Sequence, residues 1–426
     1  MRLTRRQFVL TGTAAAFAQA PPPEAPHRQP NVLFLLADQW RAQAMPGAAP
    51  GLHAPNLGRL ATEGLQFNRC YATYPLCAPS RASLLTGRYP HACGVINDSS
   101  PLPPDQPSLA RELKSAGYRT GYIGEWHLDG APTPGFVPPG PRRHGFDYWA
   151  AFNRGNRYYD SLYFRDRPEA VRVSGFEPDD QTALAIEFLK QNRALPFFLY
   201  VSWGPPHPPR AVKLENLEVR LRANVPEELE ERAREGYAGY YALCSAIDVN
   251  IGRLLVALDE RGLARDTIVV FTSDHGDMLT SHGLEDKNVP YEESARVPLV
   301  LRYPARIAAG GVDHRVSSNV ELMPRILTLC GLEVENGGGR TESIYAQGKL
   351  GEKDEWRMLV RGLDKLVIDR EFKVTAQYNL GADPYELENL AGEAARELRR
   401  DELMALLKDA MRRAGDKMDT SGLKRR

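Results

Sequence analysis

Five short stretches are apolar almost without interruption: Asn31–Ala37 (N-V-L-F-L-L-A), Tyr118–Gly124, Pro196–Trp203, Thr267–Thr272 and Val297–Leu301. A strand with one wet face alternates apolar and polar residues, so an unbroken run marks a strand buried on both faces. Between these runs apolar positions return at helical spacing, around Ser108–Ala116, Asp180–Asn192 and Glu227–Arg261. The last places Leu229, Ala233, Tyr237, Tyr240, Cys244, Ile247, Ile251, Leu254 and Leu258 on one face. Strands alternating with helices predict an α/β domain over 31–335, a mostly parallel sheet sandwiched by helices. Beyond Leu332 the texture changes. A glycine run (Gly337–Gly339) leads to strand-like pieces at Arg357–Arg361, Lys365–Ile368 and Phe372–Ala376, then a charged amphipathic helix over Glu393–Arg413. That pattern predicts a small C-terminal α+β subdomain over 340–426.

The first residues do not belong to this pattern. Thr4-Arg5-Arg6-Gln7-Phe8-Val9-Leu10 is a twin-arginine motif, and Ala18-Gln19-Ala20 is a cleavage signal. Residues 1–20 therefore read as a signal peptide for the twin-arginine translocase, and 21–30 as a proline-rich spacer. The expectation is a folded protein exported to the periplasm or beyond, with no integral membrane anchor, because the apolar run is too short to span a bilayer. Lys+Arg and Asp+Glu both total 54, which gives no electrostatic case for nucleic acid as a partner. The five cysteines match no zinc spacing, and an odd count is poor for a disulfide framework.

Parallel strands deliver functional groups at their carboxyl ends. The first run ends in Asp38-Gln39, and Thr267–Thr272 runs into Ser273-Asp274-His275-Gly276-Asp277. Two carboxylates, an amide oxygen and an imidazole suit one divalent cation, Ca²⁺ or Mg²⁺ by the oxygen donors, with Mn²⁺ admitted by the imidazole. Either pair alone is more often an ordinary strand-end cap.

The stretch Cys77-Ala78-Pro79-Ser80-Arg81-Ala82-Ser83-Leu84-Leu85-Thr86-Gly87-Arg88 is denser in chemistry. Pro79 suits the first turn of a helix, whose backbone donors favour a nearby anion, and Arg81 adds a permanent cationic fork. The segment resembles the signature C-x-P-S-R-x-x-x-L-T-G-R of the formylglycine-dependent sulfatases, in the alkaline phosphatase superfamily. Asn31–Arg41, Gly124-Glu125-Trp126-His127-Leu128, Pro205-Pro206-His207-Pro208-Pro209, Asp274-His275-Gly276, the block from His282 through Lys287 to Pro298, and Asn379–Leu390 resemble further blocks of that family in the same order.

The resemblance implies an alkaline-phosphatase-like fold and hydrolysis of a sulfate monoester, from a small molecule or glycan. It implies that a maturation enzyme turns Cys77 into formylglycine. One hydroxyl of the aldehyde hydrate attacks sulfur and the other expels sulfate. Asp38, Gln39, Asp274 and His275 would hold the metal, Ca²⁺ by preference. Arg81 would hold charge, His207 and Lys287 would serve the leaving alcohol, and His127 would be the base. The chain departs from the pattern at Glu125, where the family has a lysine against the sulfate. Glu125 could be protonated, turned outward, or paired with Arg142 or Arg143. Glu285-Asp286 also precedes Lys287 where an aromatic residue is usual. Asp38-Gln39 replaces two adjacent Asp, so that two anionic ligands balance one divalent cation. Alternatives are a phosphodiesterase or phosphonate monoester hydrolase of the same superfamily, or a sulfated-glycan binder without turnover. Loop 131–166 has no readable code for substrate.

Overall fold

The structure is a computed structural model, and it describes residues 29–191, 195–210, 217–334 and 342–418. The signal segment 1–20, most of the proline spacer and Gly337–Gly339 lie outside the described residues. Eight strands form the main sheet: β1 (Asn31–Asp38), β2 (Leu65–Tyr71), β3 (Arg119–Glu125), β4 (Tyr148–Phe152) and, after a two-strand hairpin of β5 (Leu162–Tyr163) and β6 (Val171–Arg172), β7 (Phe197–Pro206), β8 (Thr267–Ser273), β9 (Arg296–Arg302) and β10 (Gly311–Ser318). Their order across the sheet is β10-β2-β9-β8-β1-β7-β3-β4. Every pairing is parallel except the two made by β9. The mostly parallel α/β sheet read from the apolar runs is therefore present.

The helices are α1 (Pro55–Glu63), α2 (Cys77–Thr86), α3 (Pro90–Cys93), α4 (Leu109–Ser115), α5 (Glu177–Gln191), α6 (Glu230–Glu260), α7 (Glu292–Ala295), α8 (Leu322–Leu329) and α9 (Glu397–Ala414). Alternation along β1 shows how they divide. Val32, Phe34 and Leu36 pack with α2, α4 and α8, whereas Leu33, Leu35 and Ala37 pack with α1, α5 and α6. With both faces covered, β1 has no solvent side on which a polar residue would be tolerated. Each fully buried aliphatic side chain contributes roughly 1.5–3 kcal/mol relative to exposure. By length and composition the helix over Glu227–Glu260 could cross a membrane, but 67% of its most apolar stretch is buried inside the protein.

Four antiparallel strands, β11 (Ser343–Gly348), β12 (Trp356–Arg361), β13 (Asp364–Asp369) and β14 (Val374–Asn379), form the C-terminal sheet. One face carries α9 through Leu403, Leu407 and Met411. The other packs on Tyr71, Ala295 and Val316 of the main domain. The strand expected at Phe372–Ala376 starts later because Phe372 turns through φ 62°. There Asp369 accepts the backbone N–H groups of Glu371 and Lys373, closing a tight hairpin.

Candidate active site

The carboxyl ends of β1, β3, β7 and β8 and the N-terminus of α2 meet at one place. The Ser273 hydroxyl accepts the Trp40 N–H at 2.8 Å and lies 2.8 Å from the Ala37 carbonyl, tying the end of β1 to the end of β8. Two glycines allow the close approach. A Cβ on Gly124 would meet the Ser202 carbonyl at 2.0 Å, and one on Gly276 the Glu293 carbonyl at 1.9 Å. Gln39 (φ 70°) and His127 (φ 54°) occupy the left-handed region that non-glycine residues avoid. Such backbone costs of order 1 kcal/mol and persists where packing over-determines it.

Arg81 is the hub. Its NH2 nitrogen lies 2.9 Å from Asp38 Oδ2 and 3.1 Å from Glu125 Oε2, and its Nε lies 3.1 Å from Asp274 Oδ2. Its NH1 nitrogen donates to the Ser202 hydroxyl and the Glu125 carbonyl, both at 2.8 Å. This leaves the Oδ1 edges of the two aspartates facing away from the guanidinium. Asp274 Oδ1 accepts the N–H groups of Gln39 (3.0 Å) and His275 (2.9 Å). Asp38 Oδ1 is buried with no hydrogen-bond partner. His275 directs Nδ1 at the Gly276 carbonyl, 3.0 Å away, which points Nε2 at the Cys77 sulfur at 3.2 Å. Asp38, Cys77, Asp274 and His275 each place one ligand atom within 4.8 Å of the others. A buried, partly orphaned set of carboxylates with an imidazole fits a divalent cation. Burial, then the charge of Asp274, raises the Asp38 carboxyl. Asp274 is lowered, because His275 and Arg81 outweigh its burial. Burial and the nearby Asp38 push the Cys77 thiol well up.

Gln39 reaches this centre through Lys287, whose ammonium donates to Gln39 Oε1 at 2.7 Å. Its amide nitrogen donates to Asp277 (2.6 Å) and Asp286 (3.1 Å). Burial opposes the Lys287 charge, but Cys77, Asp38 and Asp286 outweigh it and hold its pKa above the ordinary value. His127 and Asp98 also stand against Cys77, each with one polar atom within 4.8 Å of the others. His127 Nδ1 is 3.5 Å from Glu125 Oε1 and its Nε2 is 3.9 Å from Asp98 Oδ1. Neither ring nitrogen is hydrogen-bonded, and burial lowers its pKa to about 3, keeping it neutral. His207 donates its backbone N–H to the Asp38 carbonyl at 3.1 Å, and burial lowers its ring to about 4.

All nine residues singled out in the sequence thus lie around one centre. Glu125 points inward, 2% exposed on its side chain, and pairs with Arg81. It pairs with neither Arg142, which binds Asp129, nor Arg143, which lies 2.6 Å from Asp166. Burial pushes the Glu125 carboxyl up to about 8 against the pull of Arg81. Sequence reasoning missed Asp98, whose Oδ1 accepts the Ala78 N–H at 3.1 Å and fixes the first turn of α2. It also missed Ser202 and Asp286. Asp277 stands in the same S-D-H-G-D run as two named ligands and was readable there; Asp98, in a loop of small polar residues, carries no such signal. The five cysteines, all buried, are unpaired.

A strand-end cluster of carboxylates and an imidazole fit to hold a divalent cation, a cysteine at a helix N-terminus and a guanidinium hub on a mostly parallel sheet suit a metal-assisted hydrolase of the alkaline phosphatase type. The sulfatase family model matches residues 30–332, and the chain belongs to that family, making it a sulfuric ester hydrolase. It is 32% identical over 420 residues to the ulvan-active sulfatase of Formosa agariphila, covering 91% of this chain and 82% of that protein. It is 27% identical to an N-acetylglucosamine-6-O-sulfatase of Bacteroides thetaiotaomicron, covering 93% and 89%. A solved structure in complex with its substrate D-glucosamine-2-N,6-O-disulfate superposes with a TM-score of 0.81 at 26% identity, covering 92% of this chain and 100% of that one.

Proposed function

We propose that this sulfatase removes a sulfate group from a sulfated glycan, with formylglycine made from Cys77 as the nucleophile. The observation that carries this reading is the placement of Cys77. It stands at the first turn of α2, 3.2 Å from His275, inside the group formed with Asp38 and Asp274. As a hydrated aldehyde, residue 77 would supply two geminal hydroxyls, one to attack sulfur and one to release sulfate. Asp38, Gln39, Asp274 and His275 would hold the divalent cation, Ca²⁺ by its preference for oxygen donors, which would supply Lewis-acid stabilisation of sulfate oxygens.

The remaining steps belong to the chain's own side chains. Arg81, fixed by five contacts, presents a rigid cation to the anionic ester. Lys287, held by Gln39, places an ammonium on the leaving-group side that can give its proton to the departing alcohol, and neutral His207 beside it can steady that alcohol through a hydrogen bond. His127, neutral with both ring nitrogens free, is positioned to take the proton when sulfate leaves. The names of the relatives support a glycan substrate. The proposal includes a maturation enzyme that oxidises Cys77, and export by the twin-arginine translocase with removal of residues 1–20. Peptide mass analysis of protein made alongside a maturation enzyme should find residue 77 as formylglycine. A thiol in every such preparation overturns the mechanism. Faster turnover of an aryl phosphodiester than of an aryl sulfate would assign the site to phosphodiester or phosphonate ester chemistry instead.

A further inference from the structure

A cavity of about 310 Å³ opens beside Glu125, between the end of β4, the β5–β6 hairpin and the start of α5. Its walls include Pro134, Phe152, Leu162, Arg154 and Arg157. We propose that it is a subsite for an anionic substituent, a carboxylate or a second sulfate, on the sugar next to the one that carries the scissile sulfate. The inference rests on the reading that the substrate is a sulfated glycan.

Charge is the first observation. Arg172 and Asp160, both at the cavity, neutralise one another at 3.3 Å. Arg154 and Arg157 make no ion pair among the described residues; Arg154 has one long hydrogen bond, 3.5 Å to the Asp98 carbonyl. The remaining acid, Glu177, is buried, accepts from Gln181 at 2.9 Å, and is pushed by burial up to about 7. The cavity therefore carries surplus positive charge in a protein whose formal net charge is zero. Guanidinium groups recognise carboxylate and sulfate alike, through paired N–H donors.

Position is the second. The cavity and the catalytic centre share one strap of chain. The Asn153 carbonyl accepts the His127 N–H, and the Gly155 N–H reaches Glu125 Oε1 at 3.5 Å. The Tyr158 hydroxyl donates to the His207 carbonyl, while the Tyr158 carbonyl accepts the Glu177 N–H at 2.8 Å. The sulfate that is cleaved must sit at Cys77, so an anion in the cavity belongs to another part of the same substrate. Phe152 and Pro134 supply the apolar wall on which a sugar ring rests. Binding energy gathered here would compensate in part for the charge that Glu125 withdraws from Arg81.

The test uses the full chain with Cys77→Ala and three disaccharides that carry the same sulfate. In one the neighbouring sugar is neutral, in one it bears a carboxylate, and in one a second sulfate. Calorimetry should show at least one anionic form binding tenfold or more tighter than the neutral form. Arg157→Ala, at an exposed position where folding is not at risk, should reduce that preference, and Arg154→Ala with Arg157→Ala should abolish it. Preference for one form alone identifies which anion the cavity takes. Equal affinity for all three, or a preference that survives both substitutions, overturns the proposal. Sulfate release from the neutral disaccharide by the matured enzyme is scored separately. If none is released while the affinity pattern holds, the hydrolytic reading fails and the subsite stands.

Discussion

Two buried ionic clusters lie close together in this protein and differ in their balance. Behind the site, Lys365 of β13 lies 2.6 Å from Glu386 and 3.3 Å from Glu292. Arg296 lies 2.8 Å from Glu292, and Arg222 lies 2.6 Å from Glu293. Three cations meet three carboxylates. In front, Arg81 alone touches three, Asp38, Glu125 and Asp274. Lys287 adds a second cation near Asp38, and burial raises the Asp38 and Glu125 carboxyls, but the acids still outnumber the cations. Buried charge left unpaired costs several kcal/mol, and folding by itself gives no reason to keep it. The balanced cluster joins the C-terminal sheet to α7, whose Ser294 carbonyl accepts the Gly276 N–H at 2.8 Å. It thereby steadies the Asp274-His275-Gly276 turn. The unbalanced cluster suits the divalent cation and the anionic ester of the proposed reaction.

Substitutions in the two clusters should therefore fail in different ways. Asp274→Ala should abolish bound cation, measured by elemental analysis, and lower kcat/KM by roughly 10³-fold or more, since a metal's charge stabilisation is worth several kcal/mol. The variant should remain folded by circular dichroism, because the residue ends a strand and is not part of the apolar core. Full metal occupancy would show the site to be misplaced.

Lys365→Met should do the reverse. It leaves Glu386 without its cation and Glu292 with Arg296 alone, at a cost of about 3–5 kcal/mol in urea unfolding, while kcat at low temperature changes little. Lost activity with stability intact would dissolve the contrast between the clusters. Glu386 sharpens it through pH. Burial, against the pull of Lys365, raises its carboxyl to about 7 from an ordinary 4.5. Between those values the folded chain holds a proton that the unfolded chain has lost, so this group's contribution to stability falls as pH rises from 4.5 to about 7 and levels off above that. Glu386→Gln should flatten the slope of Tm against pH from 5 to 8. An unchanged slope would mean that Glu386 is already ionised in this range.

How much of this was legible in the sequence followed from how each element is buried. β1 and β8 were readable to within a residue because both faces are covered and their central positions, Val32–Ala37 and Ile268–Phe271, are all apolar. β2 (L-Q-F-N-R-C-Y) and β10 (G-V-D-H-R-V-S-S) were not, because β10 is the edge strand, β2 lies next to it, and both are only partly buried. The reversed direction of β9 leaves no trace in its composition. The site was legible where motif blocks carried it. The partner of Glu125 was not, because Arg81 and Glu125 are 44 positions apart and only the fold brings them together. The arginines nearer in sequence turned out to be engaged elsewhere.

Glu125 yields the smallest expected change and the most specific one. It occupies the position where the family has a lysine, and its Oε2 takes up part of the Arg81 fork at 3.1 Å. An ionised carboxylate there neutralises the guanidinium that should face the ester. A protonated one still occupies it. Glu125→Lys removes the competitor and adds a cation, whose repulsion by Arg81 is offset by Asp38 and Asp274, the other two carboxylates on that guanidinium. On a small aryl sulfate, which cannot reach the arginine-lined cavity, kcat/KM should rise about tenfold, or about 1.4 kcal/mol. On a substrate with a second anionic group the gain should be smaller, since Arg154 and Arg157 already hold that ester in place. A fall in kcat/KM on both substrates would show that Glu125 serves the reaction itself, through the 3.5 Å approach of its Oε1 to His127. It would then be a partner that orients the imidazole, and the loss of cationic charge at this position would have to be made good by the metal site alone.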